Sequence, residues 1–358
     1  MAIVCHSLPC CAMASERNRT NRRKRATITD VARAADVAPS TVSRAFSNPG
    51  RVNHRTREHV LAVAAELGYT PNPMARALES GRTNTFALLV PDITNPFFAG
   101  VIKGAERAAA AAGQALVLGD TQENASVEEQ LIARLGPAVD GFVLAASRLP
   151  DDLLHRAAEL NPIALVNRAT PGLGCVVADY DNGTRQIVDH LASLGHRSLV
   201  FLGGPPESWS GARRWAGLQA ASRRARIKAT RFGPYAPTIA GGPAAADAVV
   251  AAGATAVVCH NDMLAMGVVR RLTQRGVAVP EQVSVVGFDN IFGADLCAPP
   301  LTTLAEHTED AGSRAVELLA RQAYERIAEP PTLQLPTHLV VRQSTGPAMT
   351  PRAARSRS

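Results

Sequence analysis

Residues 27–46 read TITDVARAADVAPSTVSRAF, and their spacing decides how the first part of the chain folds. Thr27 and Asp30 stand in a capping-box relation: the hydroxyl can accept an orphan N–H of the first turn and the carboxylate can reach back. Ile28, Val31, Ala32 and Ala35 recur at helical spacing along one face. Asp36-Val37-Ala38 reads as a turn, and Pro39 suits the first turn of a second helix, where a missing N–H costs nothing. In that helix Val42, Ala45 and Phe46 face inward and leave Ser40, Thr41, Ser43 and Arg44 on the polar side. Two short helices joined by so short a turn make a helix-turn-helix. A third helix follows, with Asn53 as N-cap, Val60, Val63, Ala64 and Leu67 as apolar stripe, and Gly68 as its stop.

Charge is distributed unevenly around this unit. The 358-residue chain carries 38 Lys+Arg against 31 Asp+Glu, a net +7. Residues 1–81 hold 12 basic and 6 acidic side chains, whereas residues 82–358 hold 26 and 25. The excess lies in RNRTNRRKR (17–25), so the helix-turn-helix segment itself is nearly neutral. A basic arm suits a polyanion partner, and its phosphate contacts add salt dependence without sequence choice; a solvated, disordered tail is the plainer alternative. Residues 1–12 (MAIVCHSLPCCA) lack the basic start and long apolar stretch of a signal peptide, and Met13 is a candidate start. No run approaches the ~18 uninterrupted apolar residues expected of a membrane span. Six cysteines without a C-x-x-C pair or a Cys/His array of zinc spacing read as free thiols of a reducing cytoplasm, with no metal and no cofactor.

Beyond Arg82 short apolar runs alternate with amphipathic stretches. Strands are expected at 86–90, 116–118, 141–144, 164–166, 198–202, 256–259 and 283–287. Helices are expected at 98–112, 127–135, 153–160, 184–194, 213–225, 244–252, 263–274 and 308–322. Such alternation indicates parallel, doubly wound sheets, and two lobes of this kind would face each other across a cleft, a favoured place for ligands. No G-x-x-x-x-G-K-[ST], G-x-S-x-G or H-E-x-x-H motif occurs, His190, His196 and His260 are isolated in sequence, and no catalytic residue is assigned.

The run TITDVARAADVAPSTVSRAFSNPGRVNHRTREHVLAVAAELGYTPNPMARALESGRT (27–83) resembles the DNA-binding headpiece of the lactose/galactose-repressor (LacI/GalR) family. The shared skeleton is D-V-A, V-x-x-x-T-V-S-R, V-x-x-x-T-R-x-x-V and L-x-Y-x-P-N-x-x-A-R-x-L. LLVPDITNPFF (88–98), VDHLASLGHRSLVFLGG (188–204), RWAG (214–217), HNDMLAMGVVR (260–270), VSVVGFDN (283–290) and PPLTT (299–303) extend the resemblance over about residues 27–342. It implies an N-terminal all-α helix-turn-helix headpiece with a hinge helix, and an α/β body of two doubly wound parallel-sheet lobes resembling periplasmic sugar-binding proteins. The implied boundaries are a disordered basic extension over 1–26, a headpiece over 27–71, a hinge over 72–83, a body over 84–345 and a disordered tail over 346–358. The chain should cross between lobes three times, with 182–305 in the second lobe and the helix at 308–322 returned to the first.

The resemblance also implies roles. The second helix enters the major groove of a pseudo-palindromic double-stranded DNA operator, with Thr27, Pro39, Ser40, Thr41, Ser43, Arg44 and Asn53 as DNA contacts, and Arg44 suited to pair bidentately with guanine. Ala75, Arg76 and Leu78 match a hinge helix that folds when two copies of a homodimer meet in the minor groove, with Leu78 as the wedge; a plain linker is the alternative. Two departures concern stability: Asp36 replaces a usual Gly and Ala38 a usual Ser cap. In the cleft, Phe97, Phe98, Asn167, Trp209, Arg214, Asn261, Phe288, Asp289 and Glu306 are the implied contacts of a small effector, a carbohydrate. Asp289 accepts hydroxyls, Arg214 presents a planar fork, Asn261 both donates and accepts, and the aromatic rings, with Phe292 beside them, offer flat faces. Each ring is as readily a core residue, and Asn167 and Glu306 stand where many sugar-binding relatives have Asp and Gln. The reading is a cytoplasmic, effector-controlled transcriptional repressor, nucleoid-associated when bound; a solute-binding protein without DNA function and a coregulator-dependent activator are the alternatives. Deleting residues 1–25 is expected to weaken DNA binding and flatten its salt slope while operator preference stays the same, as read by gel shift over a salt series; a changed preference would contradict this division of labour.

Overall fold

In the computed structural model, which describes residues 26–70, 81–325 and 329–349, the chain forms two units that divide between Gly81 and Arg82. The basic arm at 17–25, the hinge positions Ala75, Arg76 and Leu78, and the last residues of the tail lie outside the described residues.

The first unit contains helices α1 (Ile28–Ala34), α2 (Pro39–Ser47) and α3 (His54–Glu66). The capping box is formed: the Asp30 N–H donates to the Thr27 hydroxyl at 3.3 Å, and the Thr27 N–H donates to the Asp30 carboxylate at 2.9 Å. Asp36 takes the left-handed conformation, φ 48°, that the usual glycine would adopt freely. α2 starts at Ala38 without a side-chain cap, and Pro39 occupies its first turn. Asn53 caps α3 by accepting the Arg55 N–H at 3.0 Å. Val31, Ala32, Ala35, Val42, Ala45, Val60 and Ala64 form a small core, closed at one side by an edge-to-face contact between Phe46 and Tyr69.

The second unit holds two sheets. The strands are β1 (Thr85–Val90), β2 (Ala115–Asp120), β3 (Gly141–Ala145), β4 (Ile163–Val166), β5 (Gly174–Ala178), β6 (Ser198–Leu202), β7 (Lys228–Phe232), β8 (Ala256–Cys259), β9 (Ser284–Asp289), β10 (Thr302–Glu306), β11 (Thr332–Leu335) and β12 (Thr337–Val340). The first sheet runs β11-β5-β4-β3-β1-β2 and is parallel throughout. The second runs β12-β10-β9-β8-β6-β7 and is parallel except for β12. β1, β3, β4, β8 and β9 are buried almost end to end, as expected of parallel strands covered by helices on both faces.

Helices α4 (Pro96–Ala111), α5 (Ala125–Leu135), α6 (Asp151–Leu160), α7 (Tyr180–Ser193), α8 (Trp209–Ala225), α9 (Gly242–Ala251), α10 (Asp262–Gln274) and α11 (Thr308–Glu325) form the crossovers. The chain passes between lobes after β5, after β10 and at Pro336 between β11 and β12. β5, β7, β10, β11 and β12 have no counterpart among the expected strands. β7, β11 and β12 are short and half-polar, so no continuous apolar run marks them.

Two contacts fix the first lobe. α4 and α11 lie so close that a Cβ on Gly104 or Gly312 would fall on the backbone of the partner helix. The Asp140 carboxylate accepts the Thr83 N–H at 2.6 Å, the Asn84 N–H at 2.9 Å and the Tyr324 hydroxyl at 2.9 Å, clamping the start of the body to this lobe. In the second lobe the buried His196 imidazole joins Thr255 (3.1 Å), Ser284 (3.0 Å) and the Gly346 carbonyl (3.2 Å). Burial holds this ring below its ordinary value of 6.5, partly opposed by the Gly346 carbonyl. Its folded pKa is lower than its unfolded one, so its contribution is complete above pH 6.5 and is lost as pH falls. His196→Gln is expected to lower the thermal midpoint near pH 7.5 and to flatten its decline toward about pH 5.5. A decline as steep as that of the unsubstituted chain would contradict the assignment.

Candidate functional site

Each unit presents one candidate site. On the first unit it is the solvent side of α2. Val42 and Ala45 are buried, so the opposite stripe is turned outward: Pro39, Ser40 and Arg44 are exposed, and Thr41 and Ser43 half-buried. Thr27 and Asn53 are engaged as helix caps, which ties both side chains to the ends of the helices they begin.

On the second unit a small cavity lies between the carboxyl ends of the two sheets, the position where open α/β sheets bind ligands. The first lobe contributes Phe97 and Phe98 from the start of α4, Arg148 from the loop after β3, and Asn167 from the end of β4. Arg214, Asn261 and Asp289 face them from the second lobe. Several residues at these strand ends hold positive φ without being glycine, among them Ala146 (47°), Asn167 (54°) and buried Asp289 (107°). Strained backbone of this kind gathers at functional sites.

Arg214 organises the second lobe's wall. Nη1 donates to the His260 carbonyl at 2.5 Å, and Nη2 donates to Asp289 at 2.9 Å and Glu306 at 2.8 Å. All three side chains are 5 % exposed or less. The guanidinium lies over the Phe288 ring at 4.6 Å and the Tyr180 ring at 5.1 Å. Burial alone would lower the Arg214 pKa, but the Tyr180 oxygen, Asp289 and Glu306 outweigh it and raise it. Burial, with Glu306 and Asp262 nearby, raises the Asp289 carboxyl well above its ordinary value despite Arg214. Asn167 reaches Glu306 at 3.4 Å and so joins the first lobe to this cluster.

The remaining expected contacts separate. Asn261 lines the cavity, but its amide is occupied: the oxygen caps α10 at Leu264 (2.9 Å), and the nitrogen donates to the Pro237 carbonyl (2.9 Å). Glu306 acts through Arg214 and lines an adjoining cavity. Phe288 is a correction: alternation along β9 turns it to the face opposite Asp289, into the core and beneath the guanidinium. Trp209 is another, for it lines a different cavity with Tyr180 and Arg213. Phe292 is 85 % exposed and outside the cavity.

Arg148, Glu123 and His260 also line the cavity and were not foreseen. Arg148 gives Nε and Nη2 to one Glu123 oxygen, at 2.8 and 2.6 Å. His260 fits only because two glycines flank it: a Cβ on Gly204 would stand 2.6 Å from the ring, and one on Gly211 2.9 Å. Burial, followed by Arg214, Arg148 and Arg231, holds its pKa well below 6.5. His260 directly follows the carboxyl end of β8 and Arg148 lies three residues beyond that of β3, a signal that the ligand rule for open sheets could have used. Among the described residues no group of three or more His, Cys, Asp or Glu is placed to hold a metal ion, and no helix is long and apolar enough to cross a membrane.

Comparison with known proteins covers both units. Residues 27–72 match the family model of bacterial regulatory proteins of the lacI family, and residues 188–345 match a periplasmic binding protein-like domain. The HTH-type transcriptional repressor CytR of Escherichia coli (strain K12) is 34% identical over 330 residues, covering 89% of this chain and 96% of that protein. The HTH-type transcriptional regulator DegA of Bacillus subtilis (strain 168) is 33% identical, covering 90% and 99%. The lac repressor dimer bound to operator and the anti-inducer ONPF superposes with a TM-score of 0.81 at 27% identity, covering 90% of this chain and all of that one. The regulator CelR in complex with cellobiose does so at 0.67 and 30% identity (89% and 100%). A lacI-family regulator from Enterococcus faecium with bound ribose gives 0.67 at 27% identity, covering 74% of this chain and 100% of that one. With a helix-turn-helix unit and a two-lobed body that relatives match along about nine-tenths of its length, the chain belongs to the lacI family of bacterial regulatory proteins and is a DNA-binding transcriptional regulator.

Proposed function

We propose that the chain represses transcription as a cytoplasmic homodimer on a pseudo-palindromic operator, and that a small carbohydrate bound between the lobes sets its operator affinity. It works by binding, without a catalytic step. The observation that carries this reading is the Arg214–Asp289–Glu306 cluster, which presents hydrogen-bonding groups at strand ends in a cavity that Asn167, Phe97 and Phe98 close from the other lobe. Cellobiose and ribose in the solved relatives support a carbohydrate. A lacI-family relative held as a dimer on its operator supports the homodimer. Residues 27–71 serve as headpiece, 72–83 as hinge with Ala75, Arg76 and Leu78 at the minor groove, and 84–345 as effector-binding body. The ligand acts only through different affinities for the two lobe arrangements.

Arg44 is the main base reader, with Pro39, Ser40, Thr41 and Ser43 beside it. Arg44→Ala should cost about 1–3 kcal/mol of operator binding and relax preference at one base pair, measured by anisotropy on a set of singly substituted operators. An equal loss on every sequence would instead mark Arg44 as a phosphate contact. In the cleft, a thermal-shift screen with sugars, sugar phosphates and purines should reveal a ligand whose binding falls in Arg214→Ala and Asp289→Ala. It should fall also in Asn167→Ala, which leaves the arginine's two carboxylates in place. Undiminished binding in all three variants would remove the cleft from this role.

A further inference from the structure

We propose that the cleft is built to exclude anions, that its ligand is an uncharged polyhydroxylated molecule, and that Glu123 is the residue that sets this specificity. The proposal rests on the cleft being the effector site and narrows the class of effector.

Two guanidinium groups face the cavity, and carboxylates hold both. Arg148, with its side chain 8% exposed, directs Nε and Nη2 to Glu123, and its backbone N–H donates to buried Glu128 at 2.9 Å. Arg214 is shared by Asp289 and Glu306. Asp262, a third carboxyl of the second lobe, lies close enough to raise the Asp289 pKa further. Each guanidinium on the wall is therefore matched by a carboxylate partner, Arg148 by Glu123 and Arg214 by Glu306 and Asp289. His260 is the remaining basic group on the wall, and it stays neutral because a buried ring beside three arginines is a poor place for a proton. Arg231 is exposed at the end of β7, beside Gly203 and outside this lining, where solvent screens it.

A phosphate or carboxylate entering such a cavity would lose its hydration and meet carboxylates that already hold the cations. Desolvation of an ion without a free counter-charge is strongly unfavourable. A neutral hydroxyl avoids that cost. It can donate to a carboxylate oxygen of Glu123 or Asp289 and accept from a guanidinium N–H, so paired charges become matched donors and acceptors. Arg148 on its own would make the first lobe's wall an anion receptor, and Glu123 cancels it.

The test uses inorganic phosphate as the anionic probe. Thermal midpoints are titrated with phosphate at constant ionic strength for the unsubstituted chain, Glu123→Gln and Arg148→Ala. Glu123 is half-buried in a loop, and Glu123→Ala frees the same guanidinium if the glutamine variant does not fold. The expected result is phosphate binding at least about tenfold tighter in the Glu123 variant than in the other two, which behave alike. Equal phosphate binding in the Glu123 variant and the unsubstituted chain, or tighter binding in the unsubstituted chain than in Arg148→Ala, overturns the proposal. No effector is needed for this comparison, so failure to bind any sugar would count against the effector-site reading and leave the three-chain comparison intact.

Discussion

Arg214 is the constraint around which the second unit is arranged. A guanidinium this deeply buried is tolerable only where carboxylates and carbonyls take up its N–H groups. Here the partners come from separate parts of the chain: the His260 carbonyl after β8, Asp289 at the end of β9, and Glu306 at the end of β10, with Phe288 and Tyr180 as aromatic walls. Removing Arg214 leaves its buried carboxyl partners without a cation, a loss of roughly 3–5 kcal/mol. The cluster therefore fixes where the strand ends of the second lobe stand. Through Asn167 and Glu306 it also reaches the first lobe, at the point where the chain crosses between them.

This arrangement links packing to function. Two of the three crossings are tied directly: the Asp179 N–H donates to the Leu335 carbonyl at 2.8 Å and the Thr337 hydroxyl donates to the Asp179 carbonyl at 2.9 Å. Crossings tied to each other in this way can bend together. At the far end of the first sheet, Asp140 holds Thr83 and Asn84, the last residue of the hinge segment and the first of the body in sequence.

Much of this was legible in the sequence, for physical reasons that differ by element. The capping box at Thr27 and Asp30, the left-handed Asp36 and the uncapped start at Ala38 are local, so spacing alone revealed them. Strands β1, β3, β4, β8 and β9 were visible because burial on both faces makes them continuous apolar runs. β7, β11 and β12 were not visible, since edge strands with one wet face carry too few apolar residues to mark them. In the cleft, Arg214, Asp289 and Asn167 came together as expected, whereas Phe288 and Trp209 did not. Motif membership places a residue near a strand end without saying which face its side chain takes; alternation along β9 decides that for Phe288. The positions of Arg148 and His260 just beyond strand ends were a usable signal, but the pairing of Arg148 with Glu123 across loops and the space that two glycines leave for His260 are not encoded in spacing.

Thermodynamic coupling between cleft occupancy and operator affinity must be reciprocal, and that reciprocity can be measured. Operator binding is titrated with and without saturating cleft ligand, and ligand binding with and without saturating operator. Coupling requires the two ratios of dissociation constants to agree and to differ from unity, typically by about 5- to 150-fold. Ratios of one in both directions, with the ligand demonstrably bound, would show that the cleft does not control operator binding.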